Sequence, residues 1–121
     1  MEFMTSDVSI IIPTHERPSY LDRILEYYAH EPFHIYVADS SALPYNGSRL
    51  KGNVTYFHLP GKFLTYKIAF TLEYIETPFV VMCADDDFII PAAIQTCVEF
   101  LSDHSSYAVA MGNALAYLKT V

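Results

Sequence analysis

Apolar residues fall in short unbroken blocks, and between the blocks they recur at helical spacing. Val8-Ser9-Ile10-Ile11-Ile12 is a β-branched block that predicts a buried strand ending at Pro13 and Thr14. His15-Glu16-Arg17-Pro18 reads as a polar loop, and Ser19 with Asp22 resembles a capping box with Asp in place of the usual Glu. Leu21, Ile24, Leu25 and Tyr28 predict a helix over about 19–30, stopped by Pro32. A second strand, His34-Ile35-Tyr36-Val37-Ala38, ends in Asp39-Ser40-Ser41. The segment from Ala42 to Gly52 carries Pro44, Asn46 and Gly47 and is expected to be loop. Val54-Thr55-Tyr56-Phe57 is a third strand, and Pro60-Gly61 a turn. Leu64, Ile68, Leu72 and Ile75 mark a helix over about 64–76, ended by Thr77-Pro78. The run from Phe79 to Ala84 is the next strand, and Pro91 stands where a first helical residue would. Ile94, Cys97, Val98 and Leu101 continue at helical spacing to about Leu101 or Ser102. Tyr107-Ala108-Val109-Ala110-Met111 predicts one more strand, and the apolar tail from Asn113 to Val121 fits either strand or helix.

Strands alternating with helices point to a Rossmann-like three-layer α/β/α fold with a mostly parallel sheet. The run Phe79–Ala84 has the pattern of a central strand buried on both faces. It runs straight into Asp85, Asp86 and Asp87. Three adjacent carboxylates repel one another unless a cation or donor groups neutralise them. Oxygen-only ligands suit magnesium or manganese, which typically also take substrate phosphates as ligands. The plainer alternative is a solvated acidic turn. Three strands end in polar residues: Thr14 to Arg17, Asp39 to Ser41, and Asp85 to Asp87. If those strands are parallel neighbours, all three clusters lie on one sheet edge, the edge where open α/β sheets bind ligands.

Composition narrows the classes. A chain of 121 residues, 52% hydrophobic with 10 Tyr and 8 Phe, can bury a core as one domain. A net charge of −7 argues against nucleic acid or an anionic membrane as partner, though not against a phosphate ligand held through a cation. Cys83 and Cys97 lack metal-ligand spacing and read as reduced core residues, which suggests a cytoplasmic setting. No apolar run approaches the roughly 20 residues of a membrane span, and no signal peptide is evident.

Ser9-Ile10-Ile11-Ile12-Pro13-Thr14-His15-Glu16-Arg17-Pro18-Ser19-Tyr20-Leu21 resembles the opening of family 2 glycosyltransferases of the GT-A fold. His34 to Ser41 resembles that family's second strand, which usually ends Asp-Asp-Gly-Ser, and Ala84 to Asp87 resembles its Asp-x-Asp metal motif. The resemblance covers nearly the whole chain; its first and last motifs are specific together and weak apart. It implies a truncated GT-A domain over 1–121 that binds a nucleotide diphosphate sugar, with uracil the usual base, and lacks the acceptor-binding half. Pro13, Thr14 and Arg17 would line the nucleotide site, Asp39 would accept a hydrogen bond from the base, and the aspartates would serve ribose and metal. Two registers fit: Asp85-x-Asp87 gives the spaced pair directly, whereas aligning Asp86-Asp87 with the family's terminal pair puts Ala84 at its first aspartate. The first is preferred, with Asp85 near ribose, Asp86 beside the nucleotide sugar, and Asp85 with Asp87 on manganese or magnesium. Ser40-Ser41 replaces the family's glycine, and only Lys67 stands near the family's Ala-Arg-Asn cation.

Other candidates are weaker. His15-Glu16 is a possible acid–base pair without a nearby nucleophile, and His34, His58 and His104 stand alone. Lys62 and Lys67 flank a helix start that would suit phosphate, or are ordinary surface lysines. Asn46-Gly47-Ser48 matches a glycosylation acceptor pattern but reads as a turn. Three functions are consistent with these residues. One is sugar transfer from a nucleotide diphosphate sugar to an acceptor hydroxyl. Another is a non-catalytic nucleotide-sugar module that needs a partner chain. The third is a phosphoryl-transfer receiver domain, which would need an acid pair where this chain has His15-Glu16. An apolar edge around Tyr107–Met111 and the tail predicts self-association as a homo-oligomer.

Overall fold

The computed structural model of the protein describes residues 5–116. A short 3-10 turn at Thr5–Asp7 leads into β1 (Val8–Thr14), α1 (Pro18–Tyr27), β2 (His34–Asp39), β3 (Val54–His58), α2 (Leu64–Leu72), β4 (Phe79–Met82) and α3 (Pro91–Asp103). The four strands form one parallel sheet in the order β3-β2-β1-β4. The chain therefore builds outward from β1 through β2 to β3, then returns to add β4 on the other side. That reversal makes the β1/β4 boundary a topological switch point, where strand tips open a crevice.

Side-chain alternation assigns the two faces. Val8, Ile10 and Ile12 of β1 and Ile35 and Val37 of β2 pack with Leu21, Ile24, Leu25 and Tyr28 of α1 and its C-terminal turn, and with Ile94 and Val98 of α3. Each fully buried aliphatic side chain here contributes roughly 1.5–3 kcal/mol from burial alone. On the opposite face lie Ile11, Tyr36 and Ala38, all buried, with α2 against β1 and β2. Phe57 of β3 meets Phe70 and Tyr74 there, at ring-centroid distances of 5.1 and 4.8 Å. Three α/β/α layers result, as the alternation of strands and helices predicts.

Four details differ from the sequence expectation. The Phe79–Ala84 run is not a central strand. β4 spans only four residues and lies at the sheet edge, with Phe79 and Val81 turned to the core and Val80 and Met82 43% and 56% exposed. The centre belongs to β1 and β2, each paired on both sides. An apolar run alone does not distinguish the two positions. Tyr107–Met111 forms no strand: Tyr107, Val109 and Met111 are 57%, 75% and 89% exposed, and the Tyr107 N–H closes a turn on the His104 carbonyl. High β-propensity yields a strand only where a neighbour offers pairing and burial. The capping box does not form, because α1 begins at Pro18, with Arg17 at the N-cap position, and Asp22 instead accepts a hydrogen bond from the Tyr45 hydroxyl. α1 and α2 are also shorter than periodicity suggests. After Leu72 the chain tightens, with Ile75 N–H on the Leu72 carbonyl, and it bends at Thr77-Pro78 before β4. Of the tail, residues 117–121 lie outside the described residues, and 113–116 take no regular structure.

Candidate functional site

Parallel register brings the polar strand ends together. Thr14 pairs with Asp39, and Asp39 with His58, so the tips of β1, β2 and β3 end level. β4 stops alongside Ile11, and the Cys83 N–H continues the pairing to the Ile11 carbonyl. The chain can then turn across the β1 tip. A turn closed by Asp87 N–H on the Ala84 carbonyl presents the three acids there.

Asp85 is the inward acid, 1% exposed. Its Oδ2 accepts from Thr14 Oγ1 at 2.7 Å and from Arg17 Nε at 3.1 Å, while Arg17 Nη2 donates to Oδ1. This two-pronged contact is the geometry that suits guanidinium to carboxylate. The Asp85 contact, chiefly as a hydrogen bond and also through its charge, raises the Arg17 pKa above its ordinary value, against partial desolvation. Arg17 also lies 3.7 Å from Asp86 and stacks over the Tyr20 ring at 4.6 Å. Asp86 is 49% exposed at its side chain, and Asp87 is exposed as well. The three acids therefore divide into one buried anchor and two solvent-facing carboxylates.

Asp39, also buried, sits at the tip of β2. Its Oδ1 accepts from the Ser41 N–H at 2.9 Å and Ser41 Oγ at 2.6 Å, and its Oδ2 from the Tyr56 hydroxyl at 2.6 Å. Beneath both carboxylates lies Lys67 of α2. Its Nζ donates to the Thr14 carbonyl and to Ser40 Oγ, both at 3.0 Å. Burial lowers the Lys67 pKa, while the charges of Asp39 and Asp85 act in the opposite direction. A buried ammonium is tolerated when it is hydrogen-bonded and opposite charge lies nearby; Lys67 has two hydrogen bonds and feels the charges of Asp39 and Asp85. It braces the β1 and β2 tips from the α2 side, and Lys62 lies instead over the Tyr66 ring at 4.7 Å.

Between these tips and the start of α1 opens a cleft of about 330 Å³, whose lining includes Thr14, Glu16, Arg17, Asp39, Ser41 and Tyr45. Its outer wall is the loop after β2, which is clasped to the loop after β1. The Glu16 N–H donates to Ser41 Oγ and the Ala42 N–H to Glu16 Oε1, both at 2.7 Å. Glu16 adopts φ 53°, a left-handed conformation uncommon outside glycine, and this reciprocal pair of bonds holds it there. Gly47 carries no side chain where the Tyr45 ring lies, since a Cβ would collide with that ring.

Of the residues expected at the site, Thr14, Arg17, Asp39, Lys67, Asp85 and Asp86 come together at one edge, with Pro13 beside Thr14 in β1. Among the described residues, no three His, Cys, Asp or Glu side chains converge as a protein-only metal cage would require. His15 Nδ1 lies 2.9 Å from Ser40 Oγ and His58 Nε2 is 2.8 Å from the Ser41 carbonyl, so both shape the β2 tip. His34 and His104 are engaged elsewhere, with Thr55 and the Phe100 carbonyl. Tyr56, Tyr45 and the Glu16 clasp were not legible as site residues. Tyr56 shares the face of Asp39 only through strand parity, which needs the β2/β3 register.

No helix among the described residues is long and apolar enough to cross a membrane. No curated protein and no solved structure matches the chain significantly. The family model for glycosyl transferase family 2 matches residues 9–120, spanning β1 to the tail and including every site residue above. On that match, and with the parallel α/β sheet that accompanies it, the chain belongs to glycosyl transferase family 2.

Proposed function

We propose that this domain binds a nucleotide diphosphate sugar, with uridine as the nucleoside, and presents it for transfer of the sugar to an acceptor hydroxyl. In this reading the chain supplies the donor side of the reaction. The observation that carries it is the hydrogen-bonded unit of Thr14, Arg17, Lys67 and Asp85 at the switch point, with Asp39 level with Thr14 in the sheet register, bordering a cleft of nucleoside size.

The donor chemistry suits a hard divalent cation. Magnesium or manganese usually takes one or two carboxylates and completes its shell with water and phosphate oxygens, so a three-residue protein cage is not required. Asp87 keeps the metal role expected from the sequence. The second carboxylate we assign is Asp86, because both oxygens of Asp85 are engaged by Arg17 and Thr14. When bound, the cation would stabilise negative charge developing on the diphosphate as the sugar departs. The protein's own groups orient the nucleotide. Asp39 faces the base, Asp85 holds Arg17 at the mouth of the cleft, and Lys67 keeps the two carboxylates from repelling each other.

Titration calorimetry with uridine diphosphate in manganese should show saturable binding that weakens at least tenfold in chelator. Equal affinity in both conditions would remove the metal from the account. No binding in either would remove the nucleotide.

A further inference from the structure

Asp39 is expected to read the base, but three of its acceptor positions are already used. A carboxylate offers about four lone-pair sites. Ser41 fills two on Oδ1, through its N–H and its hydroxyl, and Tyr56 fills one on Oδ2. The Tyr56 hydroxyl also accepts from the Tyr45 N–H at 2.8 Å. Its proton is thereby committed to Asp39, and its lone pair to the loop that walls the cleft. The phenol sits in a partly buried pocket, where burial and the Asp39 hydrogen bond push its pKa up to about 12. It therefore stays a donor throughout the neutral range. The ring has little freedom to move. It packs parallel to His58 at 6.5 Å between centroids and against Tyr45 at 6.4 Å.

We propose that Tyr56 is a specificity-determining positioning residue: by occupying one Oδ2 site of Asp39 and tying down Tyr45, it leaves the carboxylate a single acceptor direction, which admits one imide N–H of a base. This deepens the reading of the cleft as a uridine site and rests on it. Uracil presents one imide donor, whereas the corresponding nitrogen of cytosine is an acceptor next to an exocyclic amino donor. With the second Oδ2 site closed, the amino group of cytosine has no carboxylate lone pair to offset the repulsion at that nitrogen. Removing the tyrosine hydroxyl opens this site and should relax the choice.

The test compares uridine diphosphate, cytidine diphosphate and inorganic pyrophosphate, each with manganese, by calorimetry. In the unmodified protein uridine diphosphate should bind at least tenfold more tightly than cytidine diphosphate. In Tyr56→Phe that ratio should fall to about threefold or less, with pyrophosphate affinity unchanged within about twofold. Tyr45→Phe supplies the control, since it frees the same loop from Asp22 without touching Asp39. It should weaken both nucleotides alike and preserve their ratio. An unchanged ratio in Tyr56→Phe would overturn the proposal while leaving the nucleotide site intact. So would equal relaxation by Tyr45→Phe, or an equal loss of pyrophosphate binding. Failure of the unmodified protein to bind uridine diphosphate at all would overturn the reading of the cleft and the proposal with it.

Discussion

Asp85→Asn is expected to lower affinity for uridine diphosphate by about a hundredfold, both with manganese and with chelator. The carboxylate receives two donors from Arg17 and one from Thr14, spread over both oxygens. An amide has one oxygen to offer, and its NH₂ group would face a donor on the other side. In either amide orientation at least one Arg17 contact must let go, while the Thr14 hydroxyl can turn to accept. The buried Lys67 also loses one of the two carboxylate charges that favour its protonated form. Asp87→Asn should behave differently. That side chain is exposed, so its loss should reduce affinity only in manganese, to the level measured in chelator. Calorimetry of the two variants in both conditions separates an anchor from a metal ligand. If Asp85→Asn also affected only the manganese-dependent part, Asp85 would be the ligand and its contact with Arg17 incidental.

The largest effect on stability is expected at Tyr28. Its side chain is fully buried, its ring meets Tyr27 and Phe33 edge-on, and its hydroxyl accepts from the Ile89 N–H at 3.0 Å. The same hydroxyl lies 3.6 Å from Cys83 Sγ, which in turn contacts the Asp87 carbonyl at 3.3 Å. Tyr28 thus fills the core under α1 and pins both ends of the acidic turn. Burial raises its pKa well above the ordinary value, so it remains an uncharged hydroxyl. Tyr28→Ala should cost about 3–5 kcal/mol through the lost burial and the residual cavity. Tyr28→Phe keeps the ring and should cost about 1–3 kcal/mol, since the Ile89 N–H is left without its acceptor. Denaturant unfolding at constant slope checks both values. Equal losses for the two variants would mean that the hydroxyl, not the packing, dominates at this position.

The sequence was most informative where local pattern and burial agree. The β-branched run Val8–Ile12, the helical spacing from Leu21 to Tyr28 and Pro91 at a helix start all have local causes, and the structure forms these elements. The meeting of Thr14, Asp39 and Asp85 was legible as well, because parallel strands with polar ends must gather those ends on one edge. What escaped depends on partners distant in sequence. β4 takes the sheet edge because β1 has two neighbours and β4 has one. Tyr107–Met111 has strand-forming side chains but pairs with no strand among the described residues. Asp22 reads locally as a cap, yet Tyr45 claims its carboxylate across the cleft wall. Tyr56 joins the site through a register that links residues 17 positions apart.

Backbone-amide NMR during titration with uridine diphosphate and magnesium tests the central claim most directly, namely that the strand tips and the acidic turn act as one nucleotide site. The largest shift changes should fall together at Thr14 to Arg17, Asp39 to Tyr45 and Asp85 to Asp87, with one common saturation curve. Small changes are expected on the α2 face around Tyr66, Phe70 and Tyr74, because α2 packs behind the sheet rather than in the cleft. Shifts concentrated on that aromatic face, or separate curves for the three clusters, would contradict the account.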